Sequence, residues 1–188
     1  MKKLLAAFMI ATIALSTSAY ASTTSEPVPE IELYPSFIDD IEFGTPGTWY
    51  EFPHEGYTVF YPTADNPTSM IVAYLTDETS LSYEDSILVQ TAVNTTLALE
   101  KYYIEDKFML GDRPLRDYFF YTKMNDIEYA VMGYMIPVDK GRVFSVEERA
   151  QSDAGFTCTD ELKAIASSVK LSDGTAVGSI DDAKVIKE

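Results

Sequence analysis

The sequence predicts an α+β domain in which an antiparallel sheet of about five to seven strands is flanked by helices. Three observations carry this. Short runs of aromatic and β-branched residues recur between tight turns, the pattern of strands joined as hairpins. Two longer stretches, beginning near Ser82 and Thr157, instead carry apolar residues at helical spacing. The only cysteine is Cys158, so no internal disulfide can hold the fold and packing must do so.

Residues 1–21 read as a secretory signal peptide. Lys2 and Lys3 give the positive end, Leu4 to Leu15 the short apolar core, and Ala19-Tyr20-Ala21 the small-x-small cleavage site before Ser22. The apolar run is too short to span a bilayer, which needs about 20 residues. Cleavage after Ala21 implies a secreted or extracytoplasmic protein with no membrane span left. It also changes the charge, because the formal net of −16 becomes −18 once Lys2 and Lys3 are gone. That excess repels phosphate backbones and anionic lipid surfaces, which argues against nucleic-acid partners. With 46% hydrophobic and 23% charged residues the chain still has a globular balance.

Residues 22–47 hold Pro27, Pro29, Pro35 and Pro46 among six acidic side chains. They read as an acidic, Pro-rich leader containing one short helix, Ser36 to Phe43, with Phe37, Ile38 and Ile41 facing inward. From Thr48 the pattern turns to strands. Trp49–Phe52 and Tyr57–Tyr61 flank Pro53-His54-Glu55-Gly56 as a hairpin, which Pro62 ends. Met70–Leu75 follows as a buried strand.

The first long helix opens at Ser82, with Asp85 in capping-box register. Its inward stripe is expected at Leu88, Ala92, Thr95 and Leu99, widened by Val89, Val93 and Thr96. Strands then return at Lys107–Leu110, Arg116–Lys123 and Ile127–Ile136. The last of these is apolar on both faces and so belongs in the middle of the sheet. Val143–Glu148 is expected as a more exposed final strand. A second helix follows, capped by Thr157, with Cys158, Leu162, Ile165, Ala166 and Val169 on one apolar face. The domain is therefore expected over residues 48–172, with 173–188 as a polar tail.

Chemistry-bearing motifs are sparse. A Cys158 nucleophile needs a base, and the only histidine, His54, sits on a distant hairpin. One histidine does not make a zinc site. No phosphate loop, nucleophile elbow or calcium loop is present. No catalytic residue, metal site or cofactor is predicted. The aromatic hairpin is the remaining signal. Trp49, Tyr50, Phe52, Tyr57, Phe60 and Tyr61 crowd it, and alternate rings must face opposite sides. Trp49, Tyr50, His54 and Tyr57 are the residues from which a binding surface is expected.

Gly56-Tyr57-Thr58-Val59-Phe60-Tyr61-Pro62, together with the Leu162–Val169 helix before Lys170-Leu171, resembles the PsbP-like superfamily over about residues 48–172. That family's Trp soon after the Tyr-Pro has no counterpart here. The resemblance implies an antiparallel sheet between helices and a binding or scaffolding role without catalysis. An exported, non-enzymatic binding or accessory domain for a protein or cell-envelope component is thus the leading expectation. A small secreted hydrolase using two carboxylates is the alternative. Mass spectrometry of the exported protein is expected to find Ser22 at its N-terminus, and secreted material retaining Met1 would overturn the address.

Overall fold

The computed structural model describes residues 31–62, 68–77, 82–99, 103–139, 141–171 and 173–186. The expected signal peptide and the first part of the leader lie outside them. The described chain forms β1 (Leu33–Ile38), β2 (Ile41–Pro46), β3 (Tyr50–His54), β4 (Tyr57–Tyr61), β5 (Ser69–Asp77), α1 (Tyr83–Leu97), β6 (Tyr103–Leu110), β7 (Arg113–Met124), β8 (Ile127–Asp139), β9 (Arg142–Gln151), α2 (Thr159–Ser168) and β10 (Lys184–Val185), with one 3-10 turn over Ile180–Asp182. Strands β3 to β10 make one eight-stranded sheet in the order β10-β6-β7-β8-β9-β5-β4-β3, and β1-β2 is a separate hairpin. Every pairing is antiparallel. The α+β class holds, with more strands than the five to seven expected.

The extra strands come from segments read differently in the sequence. Ser36–Phe43 is not a helix but the turn of the β1-β2 hairpin, with Ile38 paired to Ile41 around Asp39-Asp40. Asp39 takes a positive φ of 53° there, a conformation that short Asx side chains tolerate. Ile38, Ile41 and Phe43 are buried, and Phe43 meets the sheet through Phe144 at 5.0 Å and Phe60 at 6.1 Å. Residues after 173, expected as a tail, return to the body. Ile180 is buried in the main core, and Lys184-Val185 pair with Met109-Phe108 as the edge strand.

The two faces of the sheet are built differently. On one, α2 and the β1-β2 hairpin seal an apolar core. Leu162, Ile165, Ala166 and Val169 are fully buried there against Phe60, Ile71, Phe144 and Val146. The apolar stripe read from the sequence is the one observed. The cap is not, because Cys158 holds the N-cap position without a side-chain cap bond. Instead Glu148, from β9, accepts the backbone N–H of Thr157 at 2.8 Å and of Cys158 at 3.1 Å, plus the Ser69 hydroxyl at 2.8 Å. A carboxylate at the helix start also suits the helix dipole.

On the other face lies α1. Ser82 caps it as expected, its Oγ accepting the Asp85 N–H at 3.2 Å. The stripe, however, is turned round. Ser86, Ile87, Gln90 and Asn94 face the sheet and are buried, whereas Leu88 is 62% exposed and Val93 46%. The reason is the sheet beneath, where β9 presents Ser145, Glu147 and Arg149 rather than an apolar row. Charged groups buried under a helix require polar partners. Thr95 and Thr96 point outward and donate to the carbonyls four residues back, at 2.7 and 2.8 Å. Strand β9 is correspondingly not an exposed last strand. It lies between β8 and β5, and Val143 to Glu148 are all buried.

This asymmetry sets a test by urea denaturation. Leu162→Ala is expected to cost about 2–5 kcal/mol through the cavity it leaves. Leu88→Ala should stay within roughly 0.5 kcal/mol, as for any exposed site. Equal losses would mean that the helix buries its apolar stripe after all.

Candidate functional site

Register decides which rings of the aromatic hairpin share a face. In the β3-β4 pairing Tyr50 lies opposite Tyr61, Phe52 opposite Val59 and His54 opposite Tyr57. Successive side chains alternate, so these six project on the α1 side of the sheet while Glu51, Thr58 and Phe60 project on the other. Helix α1 packs chiefly over β7, β8 and β9. Tyr50, Phe52 and Tyr57 are therefore 50%, 49% and 40% exposed. His54 stacks on Tyr57 with ring centroids 4.6 Å apart and planes within 14°. Phe52 meets Tyr61 edge-on at 5.5 Å.

Three of the four residues expected to bind, Tyr50, His54 and Tyr57, stand together on this face. Trp49 does not join them. It precedes β3, packs towards Phe60 at 6.4 Å, and lines a separate groove of about 380 Å³ with Tyr34 and Glu161.

Tyr57 opens onto a larger cleft of about 660 Å³ between α1 and strands β4, β5 and β9. That lies inside the range of small-molecule sites, roughly 300–1,000 Å³. Its walls are apolar, from Tyr57 and Val72 on the sheet to Val93 and Leu97 on the helix. Its floor is polar and organised by Glu147, which is only 1% exposed. Glu147 accepts the Tyr118 hydroxyl at 2.6 Å, the Tyr74 hydroxyl at 3.5 Å and Arg149 Nε at 2.5 Å. Burial, then the charge of Glu147, pushes both phenols well above the usual tyrosine range, so they remain donors. Burial is the largest single influence on Arg149 and opposes its charge, but the opposing influences, led by the charge and hydrogen bond of Glu147, leave its value raised.

Gly133 makes this arrangement possible. A Cβ there would lie 2.7 Å from Glu147 Cβ and 2.8 Å from the Tyr118 hydroxyl. Helix α1 completes the floor. Gln90 donates to the Tyr74 hydroxyl at 3.1 Å and to Asn94 Oδ1 at 2.9 Å, and accepts the Thr76 hydroxyl at 2.5 Å. Asn94 Nδ2 is buried without a hydrogen bond and lies beside the Tyr103 phenol, which burial, then Glu105, pushes well above the usual tyrosine range. None of Tyr74, Gln90, Asn94, Glu147 and Arg149 was singled out from the sequence. The available signal was Glu147-Glu148 closing an otherwise apolar strand.

No protein-family model matches the sequence, and no curated protein matches it either. Solved structures do. A crystal structure from Bacteroides thetaiotaomicron is similar with a TM-score of 0.52 at 14% identity, over 74% of this chain and 49% of that one. The chain thus spans about half the length of that protein. A solution structure of cyanobacterial PsbP from Synechocystis has a TM-score of 0.48 at 13% identity, over 78% of this chain and 96% of that one. The crystal structure of LpqN from Mycobacterium tuberculosis, described as involved in cell envelope biogenesis, has 0.48 at 17%, over 78% and 86%. The likeness is one of fold, carried by the first of these at 14% identity.

Elsewhere, Asp106 and Asp117 lie directly opposite each other on β6 and β7, beside a shallow hollow of about 200 Å³ with Met132 and Tyr134. Burial first, then the charge of Asp106, pushes the Asp117 carboxyl up to about 6. Cys158 is buried and its thiol is pushed up to about 11, mainly by burial, which leaves it protonated and unreactive at neutral pH. Among the described residues no group of three His, Cys, Asp or Glu is placed to hold a metal, and no helix is long and apolar enough to cross a membrane.

The Asp117 shift has a definite sign. The folded carboxyl keeps its proton up to about pH 6, whereas its ordinary value is 3.8. The folded state therefore binds more protons across that window, and this residue's contribution to stability falls as pH rises through it. Asp117→Asn is expected to raise the melting temperature near pH 7 and to flatten its fall between pH 4 and 6. Superimposable melting profiles for variant and wild type would contradict the burial of this carboxyl.

Proposed function

We propose that this protein is an exported, non-enzymatic binding or accessory domain that recognises a protein or cell-envelope component. It uses the α1 face of the sheet, where the aromatic ladder of β3-β4 runs into the cleft. The observation that carries this reading is the exposed stack of His54 on Tyr57 at the mouth of a cleft large enough for a ligand. Contiguous apolar surface left open to water marks an interaction site more often than chance. The floor supports binding over catalysis. Both oxygens of Glu147 are already engaged, one by Tyr118 and one by Arg149. Export rests on the N-terminal signal pattern, and the partner's membership of the envelope rests on that address.

One observation favours the second reading, a carboxylate-dependent hydrolase. Asp117 is pushed up to about 6 beside Asp106, the kind of shift that suits a general acid. The hollow beside the pair is small and open, which leaves little to orient a substrate.

The two readings separate in one experiment. Mature protein starting at Ser22 is used as bait for isolated envelope fractions, in wild-type, Phe52→Ala, Tyr57→Ala and Asp117→Asn forms, at a temperature where each is shown to be folded. Capture of a defined component should fall about tenfold in the two aromatic variants, as for loss of an interface anchor, and be unchanged in Asp117→Asn. Aromatic variants that capture the same component as well as wild type would refute the proposal.

A further inference from the structure

We infer that the cleft beside α1 docks an amphipathic helix of a partner protein, its apolar ridge seated between α1 and the β3-β4 rings and its polar edges basic. The inference rests on the binding reading of this face and adds the chemistry of its occupant.

The two walls come first, because helix α1 presents different flanks. Residues four apart form rows along a helix. The row Val89, Val93 and Leu97 runs down the flank beside the cleft, and its last two members line it. The adjoining row, Leu88, Ala92 and Thr96, is exposed and carries this surface over the top of the helix. The opposite flank is polar, with Thr91 donating to Glu105 at 2.7 Å and Thr95 to the Thr91 carbonyl at 2.7 Å. Across the cleft stand Tyr57, Phe52 and Tyr50, 40%, 49% and 50% exposed. The open apolar surface is thus gathered on one side of α1 and faced by rings, which makes a two-walled groove. Contiguous apolar surface of this kind marks an interaction site.

The occupant's backbone comes second. An extended peptide would add to a sheet edge. Both edges of this sheet resist that, since β3 contains Pro53, which has no N–H, and β10 is two residues long. A helix needs no edge. It satisfies its own backbone and offers a ridge of residues four apart that fits beside the ridge of α1. The cleft of about 660 Å³ takes side chains from such a ridge. Its floor calls for no further charge, because Arg149 Nε already meets Glu147 at 2.5 Å.

Charge selects the partner. Glu55 is exposed at the cleft mouth, Glu84 and Asp85 are exposed in the first turn of α1, and no basic residue lies in its last turn. Among the described residues lining the cleft, Arg149 is the one cation, and Glu147 engages it. The whole chain carries a formal net of −16. A second copy would bring the same acids to this face, and an anionic lipid surface would be repelled by it. A helix with Lys or Arg beside its apolar ridge meets these acids with opposite charge. Exposed pairs of this kind add little to affinity, but they speed encounter and reject acidic competitors.

The test is a titration of ¹⁵N-labelled protein starting at Ser22 with a helical peptide of about 14 residues built from leucine and lysine. Its counterpart with every lysine replaced by glutamate is the control. The basic peptide should give saturable shifts of the backbone amides of Tyr57, Val93 and Leu97, with affinity falling about tenfold between roughly 50 and 300 mM salt. Val93→Asp, at an exposed helix position, should weaken binding about tenfold. Glu55→Lys should weaken it about threefold. Asp153→Lys, an equal change of charge at an exposed residue that does not line the cleft, should leave it unchanged. Equally tight binding of the acidic peptide would overturn the inference, as would equal losses in the two lysine variants. So would shifts confined to other faces, or no shifts at about 1 mM basic peptide. Binding to phosphatidylcholine vesicles that Val93→Asp abolishes, without peptide binding, would overturn it and assign the face to lipid. If the peptide fails while Phe52→Ala and Tyr57→Ala still abolish envelope capture, the basic helix falls and the binding domain stands. If both fail, neither reading survives.

Discussion

Two neighbouring carboxylates on the central strand β9 set the terms for the rest of this structure. Glu147 is 1% exposed and Glu148 is fully buried, and alternation sends them to opposite faces of the sheet. A carboxylate removed from water costs several kcal/mol unless charges or hydrogen bonds replace the solvent. Each face has therefore to supply donors at one fixed place. Glu148 takes them from the backbone before α2 and from Ser69, which fixes where that helix begins. Glu147 takes them from Tyr118, Tyr74 and Arg149, which fills the space beneath α1 with polar groups.

The different solutions explain why the two faces differ in tightness. Backbone N–H groups come with the helix itself, so satisfying Glu148 leaves the rest of α2 free to be apolar and closely packed. Satisfying Glu147 uses long side chains from the sheet, and these need room. Gly133 concedes that room on β8, where any Cβ would press on both Glu147 and the Tyr118 hydroxyl. The helix above must then meet a polar surface, and Gln90 and Asn94 do so by hydrogen bonding rather than by filling space.

The parts of the fold that were legible in the sequence are those where burial is apolar. The hairpin of Tyr57–Tyr61, the doubly apolar strand β8 and the stripe Leu162, Ile165, Ala166 and Val169 all follow the usual periods. The parts that were not legible are those where polar residues are buried. Strand β9 reads as exposed because Glu147 and Glu148 look like surface residues, and nothing local announces that Tyr118 and Thr157 will meet them from 29 and 9 residues away. Helix α1 reads inside out for the same reason, since a hydrophobic stripe is the default guide to the inner face. The β1-β2 hairpin is a different case. Asp39-Asp40 resembles a solvated helix turn, and only the core beneath Ile38 and Phe43 favours the strand pairing. At the site, the aromatic excess of the hairpin was legible, but the sequence places His54 in a loop, and only the β3-β4 register puts it on one face with Tyr50 and Tyr57, while Trp49, one residue before Tyr50, packs towards Phe60.

The cleft and the polar stripe of α1 are one feature viewed from two sides. Had the helix turned Leu88 and Ala92 inward, apolar side chains could have closed on the sheet, but Glu147 would then have lost the Tyr74–Gln90 end of its network. With Gln90 and Asn94 inward, the network is held together through Tyr74 and Thr76 of β5, and the space beside it is left open as the cleft. The price of burying Glu147 is thus an opening beside Tyr57, edged by the exposed rings of β3 and β4. A surface formed in this way is rigid, since its floor is cross-linked by hydrogen bonds from β5, β7, β9 and α1. Rigidity of that kind lowers the ordering cost of taking up a ligand.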